Sequence, residues 1–229
     1  MKGIWKLVLR FVKLFVIFFI GITVFWVLLY KFVNPPVTWL MVTRGFERKA
    51  DGKDWKIDKE WRDFDEIADA MKRAAVAAED QKFLIHHGFD FNAMGKAISK
   101  NANSEKLVGG STISQQTAKN VFLWPGRSYI RKAFEAYFTA LIEVFWSKKR
   151  IMEVYLNVIE MGDGVYGIQA ASQYYYGKDA SQLTRREAAA IASIFPLPLK
   201  WSPTNPTKYL RRKQSAILRN IKRLGPLEF

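Results

Sequence analysis

The sequence predicts a mainly α-helical protein in which one membrane-spanning helix precedes a globular domain. Three observations predict this fold class. An uncharged apolar run lies near the N-terminus, apolar residues recur at helical spacing through most of the remaining chain, and the alternation typical of strands is scarce. At 229 residues, 49% of them hydrophobic, the chain suits one domain of ordinary size plus an appendage.

The first 33 residues predict a cytoplasmic basic flank and a transmembrane signal anchor. The uncharged run 14–30 contains 17 residues. At ~1.5 Å per residue it is slightly shorter than a ~30 Å hydrocarbon core, and extending the helix over 11–33, with Lys13 and Lys31 snorkelling, closes the gap. A cleaved signal peptide is the alternative, but residues 31–36 offer no small-residue cleavage site.

Charges beside the run predict its orientation. Four basic residues precede the run and one follows it directly, which favours a cytoplasmic N-terminus with everything after residue 33 outside the cytoplasmic membrane. The net charge of +15 favours polyanionic partners such as nucleic acid, anionic lipid or a phosphorylated substrate. Because the main domain is expected outside the cytoplasm, nucleic acid is not an expected partner.

The remaining chain is divided by its prolines and glycines. Pro35 and Pro36 end the first helix, and residues 34–60 are predicted to form a linker ahead of the main domain, 61–229. Residues 99–110 are predicted to form a mobile loop, because they are rich in Gly, Asn and Ser. Apolar spacing predicts helices over 65–80, 112–122, 129–146, 149–161, 167–176, 184–194 and 209–224.

Composition narrows the chemistry that the domain can perform. The absence of cysteine excludes disulfide scaffolds, cysteine-ligated zinc and thiol nucleophiles. The two histidines, His86 and His87, are too few for a multi-histidine metal cage, and a Ser-His-Asp triad would have to use one of them. The remaining candidates for catalytic groups are therefore carboxylates and cations.

Glu79 and Asp80 close the first predicted helix of the domain. Glu79 follows Ala75 by four residues, so it lies at the edge of the apolar stripe, where partial desolvation favours a general base. A solvated carboxylate pair at a helix end is the simpler interpretation. The polar loop that follows, with His86 and Asp90, is typical of a functional site.

Two further clusters have the chemistry of an anion site. Thr112 and Gln115 fit a capping box behind a glycine turn, and Lys119 lies on the same helix face. Around Glu135, cations at Arg127, Arg131 and Lys132 suit a diphosphate, bound directly or through a divalent ion. An ordinary capped helix and a surface salt bridge are the alternatives. No Walker-type motif is present, so a nucleoside triphosphate is not the expected anion.

Five segments contain the residues that make the sequence recognisable. They are Glu79-Asp80-x-x-Phe83-x-x-His86-x-Gly88-x-Asp90, Gly109-Gly110-Ser111-Thr112-Ile113-x-Gln115-Gln116-x-x-Lys119-Asn120, Arg131-Lys132-x-x-Glu135, Lys149-Arg150-Ile151-x-Glu153-x-Tyr155-Leu156-Asn157 with Gly162, Gly167 and Ala171, and Leu183-Thr184-x-x-Glu187-Ala188-Ala189. In order and at the right spacing, these segments resemble the motifs of the peptidoglycan glycosyltransferases, glycosyltransferase family 51. The match covers residues 65–205.

The resemblance implies a lysozyme-like α-helical catalytic head joined to a small apolar jaw that contacts the membrane. Phe89, Phe91, Met94 and Ile98 are candidates for the jaw, with core packing as the alternative for each. The implied reaction transfers a lipid-linked growing glycan onto lipid II with inversion, and releases undecaprenyl diphosphate. Because no S-x-x-K motif occurs, the resemblance is to monofunctional members, without a transpeptidase domain.

By the same resemblance, Glu79 is the general base that takes the proton from the acceptor hydroxyl. Lys119, Arg127 and Arg131 stabilise the departing diphosphate, while Glu135 orients those cations or holds a divalent ion, Mg²⁺ or Mn²⁺. No metal ligands are firmly assigned. Residues expected to bind substrate directly are Asp80, Phe83, Gly109, Ser111, Gln115 and Asn120, with Phe83 packing beneath the sugar.

Two other functions remain open at this point. A lysozyme-like lytic enzyme would share the fold and one glutamate, but its neutral leaving group does not need the basic cluster. A membrane-tethered polybasic binding module would suit the charge and the helix 209–224, but leaves five ordered motifs unexplained. As an enzyme of the resembled family, the chain is expected at the bacterial inner membrane with a periplasmic domain, and cell-wall synthases or divisome proteins are candidate partners.

Overall fold

The computed structural model describes residues 2–102 and 109–229, and it divides into two compact units, Met1–Asn34 and Pro35–Phe229. The first unit is a single helix, α1 (Lys2–Phe32). Within it, the segment Ile4–Phe32 is long and apolar enough to cross a membrane. The predicted helix in this position is confirmed.

The second unit is mainly α-helical, as expected. Most of the helices predicted from apolar spacing occur with boundaries shifted by a few residues. The helices are α2 (Trp39–Ala50), α3 (Asp69–Glu79), α4 (Phe91–Ala102), α5 (Ile113–Phe122), α6 (Tyr129–Phe145), α7 (Lys148–Val158), α8 (Gly167–Tyr176), α9 (Arg185–Ile194) and α10 (Lys208–Arg223).

Two groups of packed helices form the core of this unit. In one, α3 packs against α9 and α10; in the other, α5 packs against α6 and α7. The facing sides of α3 and α9 are rich in buried alanine, including Ala74, Ala75, Ala188 and Ala189. Small side chains let the two helix backbones approach closely, which fixes the position of the end of α3.

A small sheet lies beside the helices. Strand β3 (Val165–Tyr166) pairs in parallel with β1 (Asp58–Lys59) and antiparallel with β2 (Glu160–Gly162). The predicted helix 149–161 therefore ends early, at Val158. These strands of two or three residues are too short to show alternation in the sequence.

The segment expected to be a linker, residues 34–60, instead forms α2 and β1. Thr38 caps α2, because its Oγ1 accepts a hydrogen bond from the N–H of Met41. Helix α2 then packs against α5 through its buried face. The polar stretch 49–54 concealed this twelve-residue helix in the sequence.

Helix α4 replaces part of the expected loop 99–110. Its last four residues fall within that range, and residues 103–108 lie outside the described residues. Of the jaw candidates, Phe91 is exposed and its ring stacks on that of Phe89, with centroids 5.9 Å apart. Met94 is half-buried, and the side chain of Ile98 lies outside the described residues.

Candidate active site

Glu79 is held at the end of α3 by a chain of two hydrogen bonds. The Nε2 atom of Gln116 donates to Glu79 Oε2 at 2.8 Å, and the hydroxyl of Tyr155 donates to Gln116 Oε1 at 3.3 Å. Burial raises the pKa of Tyr155 well above its ordinary value, and the charges of Glu79 and Asp80 add to this effect. Tyr155 is thus a neutral donor that orients the Gln116 amide, which in turn orients the carboxylate.

The second oxygen of Glu79, Oε1, accepts no hydrogen bond from the described residues. Glu79 is half-buried and lines a cavity of about 250 Å³. Among the expected substrate-binding residues, Asp80, Gly109 and Ser111 line the same cavity. A partly desolvated carboxylate with one free oxygen beside an open cavity has the geometry of a general base.

Asp80 is buried and its carboxylate is fully engaged within the protein. It accepts the backbone N–H of Ile113 at 3.1 Å and a hydrogen bond from His86 Nε2 at 2.9 Å. Because His86 Nδ1 accepts the N–H of Gly88, at 3.1 Å, Nε2 carries the proton that is donated to Asp80. The expected anion site at the start of α5 is therefore occupied by a carboxylate of the protein itself.

The capping box predicted for α5 is confirmed. Thr112 Oγ1 accepts the Gln115 N–H, and Gln115 Oε1 accepts the Thr112 N–H at 3.0 Å. Gln115 is 1% exposed, so its amide caps the helix and does not reach a cavity. Phe83, expected beneath a sugar, is fully buried, with the Lys148 ammonium 4.6 Å from its ring centroid. Both side chains support the site from within the protein.

The expected cation cluster lines a second cavity of about 250 Å³. Lys119, Asn120, Arg127 and Arg131 surround it. Burial lowers the pKa of Lys119 from its ordinary value of 10.5, while the charge of Glu135 opposes the shift. The Lys119 ammonium forms no hydrogen bond or ion pair with the described residues. The Nε atom of Arg131 is also buried without an acceptor among them.

Glu135 lies behind this cation cluster, 3% exposed. Its carboxylate contacts the Lys132 ammonium and lies 3.9 Å from Arg131 Nη1. These contacts hold both cations in place, as the orienting role requires. The cluster therefore combines two oriented cations with Lys119, whose ammonium is free to meet an anionic ligand.

A divalent ion held by protein groups alone does not fit here. The described residues contain no group of three His, Cys, Asp or Glu side chains that could hold a metal ion. The carboxylate of Glu135 is already paired with Lys132. Mg²⁺ or Mn²⁺ would have to take most of its ligands from a bound diphosphate and from water. Direct binding of the diphosphate by the cations needs no such ion.

Helix α5 connects the two cavities. Gln116 contacts Glu79, and Lys119, one turn further along, lines the cation cavity. The charge of Glu79 also contributes to the pKa of Lys119, so the base and the cations lie within electrostatic range. The arrangement places a carboxylate suited to general-base catalysis at one end of the site and a cation-lined cavity suited to a polyanionic group at the other.

Three residues near Glu79 and the cations were not predicted to belong to the site. Gln116 and Tyr155 were recognised only as motif positions, with no role assigned to either. Lys213 comes from α10; its Nζ donates to the carbonyl of Ser193 at 2.9 Å. The pKa of Lys213 is lowered by burial, and the charge of Glu79 opposes this shift. No local pattern links a lysine at position 213 to a carboxylate at position 79.

Comparison with known proteins identifies the family of the chain. The family model described as Transglycosylase matches residues 50–222. A "Biosynthetic peptidoglycan transglycosylase" of Caulobacter vibrioides is 54% identical over 191 residues, which cover 83% of this chain and 81% of the relative. Proteins with the same name from Pseudomonas fluorescens and Xanthomonas campestris pv. campestris are each 46% identical, over 94% and 95% of this chain and 90% and 89% of theirs. The chain therefore belongs to the transglycosylase family.

Proposed function

We propose that this protein polymerises the glycan strands of peptidoglycan, joining a lipid-linked growing glycan to lipid II with inversion and release of undecaprenyl diphosphate. The observation that carries the proposal is the pairing of an oriented carboxylate, Glu79, with a cation-lined cavity along one helix, α5. Membership of the transglycosylase family and the names of the relatives support the same reaction.

Glu79 is the general base for the acceptor hydroxyl. An alcohol is a poor nucleophile at neutral pH, and a positioned base contributes about 10²–10⁴-fold to such a reaction. The free Oε1 of Glu79 receives the proton while Oε2 remains bonded to Gln116. As the proton leaves, the acceptor oxygen attacks the anomeric carbon of the donor, and the bond from that carbon to the diphosphate breaks.

Lys119, Arg127 and Arg131 stabilise the diphosphate as charge develops on it. Lys119 has no carboxylate partner to displace among the described residues, so its full charge is available to the leaving group. Glu135 keeps Arg131 and Lys132 oriented. A lytic enzyme of similar fold would release a neutral sugar hydroxyl and would gain little from such a cluster.

The protein acts at the bacterial inner membrane, anchored by α1 with its N-terminus in the cytoplasm. The apolar length of α1 and the basic residues that precede it support this orientation. The second unit, Pro35–Phe229, here called the catalytic unit, then lies in the periplasm, where it binds lipid-linked substrate. Cell-wall synthases or divisome proteins are the partners that such an enzyme would contact.

The test is polymerisation of labelled lipid II by the full chain in detergent, with products separated by size. Wild-type protein is expected to produce long, lysozyme-sensitive glycan, and Glu79→Gln none. Lys119→Ala is expected to lose most activity, whereas Lys222→Ala, an exposed lysine on α10, serves as the matched charge control. Polymer from folded Glu79→Gln protein would overturn the proposal, as would cleavage of preformed glycan by the wild type.

A further inference from the structure

Helix α2 has a buried face and an outward apolar face. Met41 and Gly45 are buried. Trp39 and Phe46 lie seven residues apart, two turns along the same side of the helix, and are 61% and 64% exposed. Trp55, 41% exposed, extends this surface by packing edge-on against Phe46 with ring centroids 5.3 Å apart. Three large exposed aromatic rings thus form one surface, here called the aromatic surface.

The aromatic surface lies close along the chain to the membrane anchor. The Lys59 ammonium donates to the carbonyls of Pro35 and Pro36, which fixes these prolines to the folded unit. Only two residues, Val33 and Asn34, lie between Phe32, the end of α1, and Pro35, a contour of at most ~11 Å. The chain therefore leaves only this short contour between the end of α1 and the first anchored residue of the second unit.

The composition of α2 matches the boundary between lipid headgroups and acyl chains. Aromatic rings, tryptophan above all, favour that boundary, and cations favour anionic headgroups. Besides its exposed rings, α2 contains three cations and one carboxylate. Arg44 and Arg48 are paired with Glu160 and Asp163, whereas the exposed Lys49 has no ion-pair partner among the described residues.

Helix α2 also reaches the cation cavity. Leu40, next to Trp39, lines that cavity together with Lys119, Arg127 and Arg131. The same short helix therefore presents rings to the outside and a side chain to the proposed diphosphate site. A diphosphate linked to a membrane lipid must lie at headgroup height, so the depth of α2 would set the height of the cavity.

We propose that α2 is an interfacial helix, whose aromatic surface lies in the outer leaflet at the headgroup–acyl boundary and holds the cation cavity level with lipid-linked diphosphates. The part concerning the cavity rests on the proposed function; the part concerning the helix does not. The occupant of the aromatic surface is lipid, and neither a second copy of this chain nor another protein.

The chain contains no cysteine, so single nitroxide labels can be placed cleanly. Trp39→Cys and Phe46→Cys are labelled in the full chain, reconstituted in phosphatidylethanolamine–phosphatidylglycerol vesicles. Gln173→Cys, an exposed position on α8, is the control. We expect labels at 39 and 46 to collide preferentially with oxygen, which partitions into lipid, and the label at 173 to collide preferentially with a water-soluble nickel chelate. Circular dichroism and thermal melting establish that each variant is folded.

Labels at 39 and 46 that behave like the label at 173 would overturn the proposal. So would labels shielded from both reagents, because a protein would then cover the surface. A second arm measures polymerisation by the double variant Trp39→Asp, Phe46→Asp, with loss expected in vesicles and retention in detergent micelles. Equal activity in both would overturn the link to the cavity. A wild type without polymerisation would contradict the proposed function alone, since the collision data do not depend on turnover.

Discussion

Glu79 and Asp80 are adjacent carboxylates whose surroundings differ because α3 ends between them. Glu79 keeps one oxygen free beside a cavity, while both oxygens of Asp80 are bonded to His86 and one also to the start of α5. The sequence predicted both as site residues. The resemblance made Glu79 the base and Asp80 a substrate-binding residue, but the bonds that occupy Asp80 were not predictable, because its partners come from segments at least six residues away.

Gln116 should matter to turnover more than to substrate binding. Gln116→Met keeps the length of the side chain but removes the donor to Glu79 Oε2. We expect kcat to fall by roughly 10- to 100-fold with little change in KM, because a misoriented base lowers the rate of the chemical step. The measurement is steady-state polymerisation with matched melting curves. A fall confined to KM would contradict the orienting role.

Lys119 should set the alkaline limit of activity. Burial lowers its pKa below 10.5, and only the ammonium form stabilises a diphosphate. As pH rises through this lowered pKa the charge is lost, so kcat/KM should begin to fall below pH 10.5. Lys119→Arg should move that limit to higher pH, because a guanidinium stays protonated. An unchanged alkaline limb in the arginine variant would show that another group controls it.

At the scale of elements, helices with regular apolar spacing were predictable, whereas helices whose pattern runs into a polar stretch and strands of two or three residues were not. Helices α5 to α9 lie within three residues of their predicted bounds. Helix α2 was missed because twelve residues with a polar end resemble a linker, and α4 because its last turn enters a Gly/Asn/Ser-rich stretch. Strand β1 depends on pairing with β3, more than a hundred residues later, which no local pattern reveals.

The close approach of α3 to its neighbours should be sensitive to added volume. Ala75 is fully buried on α3. Ala75→Leu should lower the free energy of unfolding by about 1–3 kcal/mol, because extra methyl groups force neighbouring side chains off their rotamers. Ala140→Leu, at an exposed position of α6, should change it by less than about 0.5 kcal/mol. Denaturant titration measures the free energy of unfolding of both variants. Equal stability would contradict the close packing of α3 against its neighbours.

Gly167 connects β3 to α8 in a conformation that favours glycine. Its φ is +78°, and a Cβ would lie 2.7 Å from the carbonyl oxygen of Asn157. Gly167→Ala should therefore destabilise the protein by more than about 1 kcal/mol, since both backbone strain and a clash oppose it. Gly109, where a Cβ would meet nothing within 4 Å, should tolerate alanine without loss of stability. Thermal melting of the Gly167→Ala and Gly109→Ala variants measures this difference in stability.

At the scale of the whole molecule, the protein can bind a membrane in two ways, by insertion of an apolar helix and by attraction of a basic catalytic unit to anionic lipid. The net charge of +15 attracts anionic lipid, but salt screens that attraction over about 10 Å. Insertion of the apolar segment Ile4–Phe32 into a membrane does not depend on charge and is therefore not screened by salt. The sequence predicted both features, because length, hydropathy and charge are additive along the chain and need no knowledge of contacts.

Membrane fractionation distinguishes attachment through charge from insertion of the apolar helix. Membranes that contain the full chain, washed with high salt and then alkaline carbonate, should retain it, and detergent should release it. A matched variant with Val24→Lys and Val27→Lys should shift towards the soluble fraction, because two charges within the apolar segment disfavour a spanning helix. Release of the wild-type chain by carbonate alone would contradict a spanning anchor.

The central claim is that Glu79 takes the proton from the acceptor hydroxyl, whereas the cation cavity binds the diphosphate of the donor. The most direct test is single-turnover transfer from a labelled lipid-linked donor, with donor binding measured in parallel, in wild type and Glu79→Gln. We expect unchanged donor binding and a transfer rate lower by about 10²–10⁴-fold in the variant. Transfer at the wild-type rate, or a loss explained entirely by weaker donor binding, would contradict the claim.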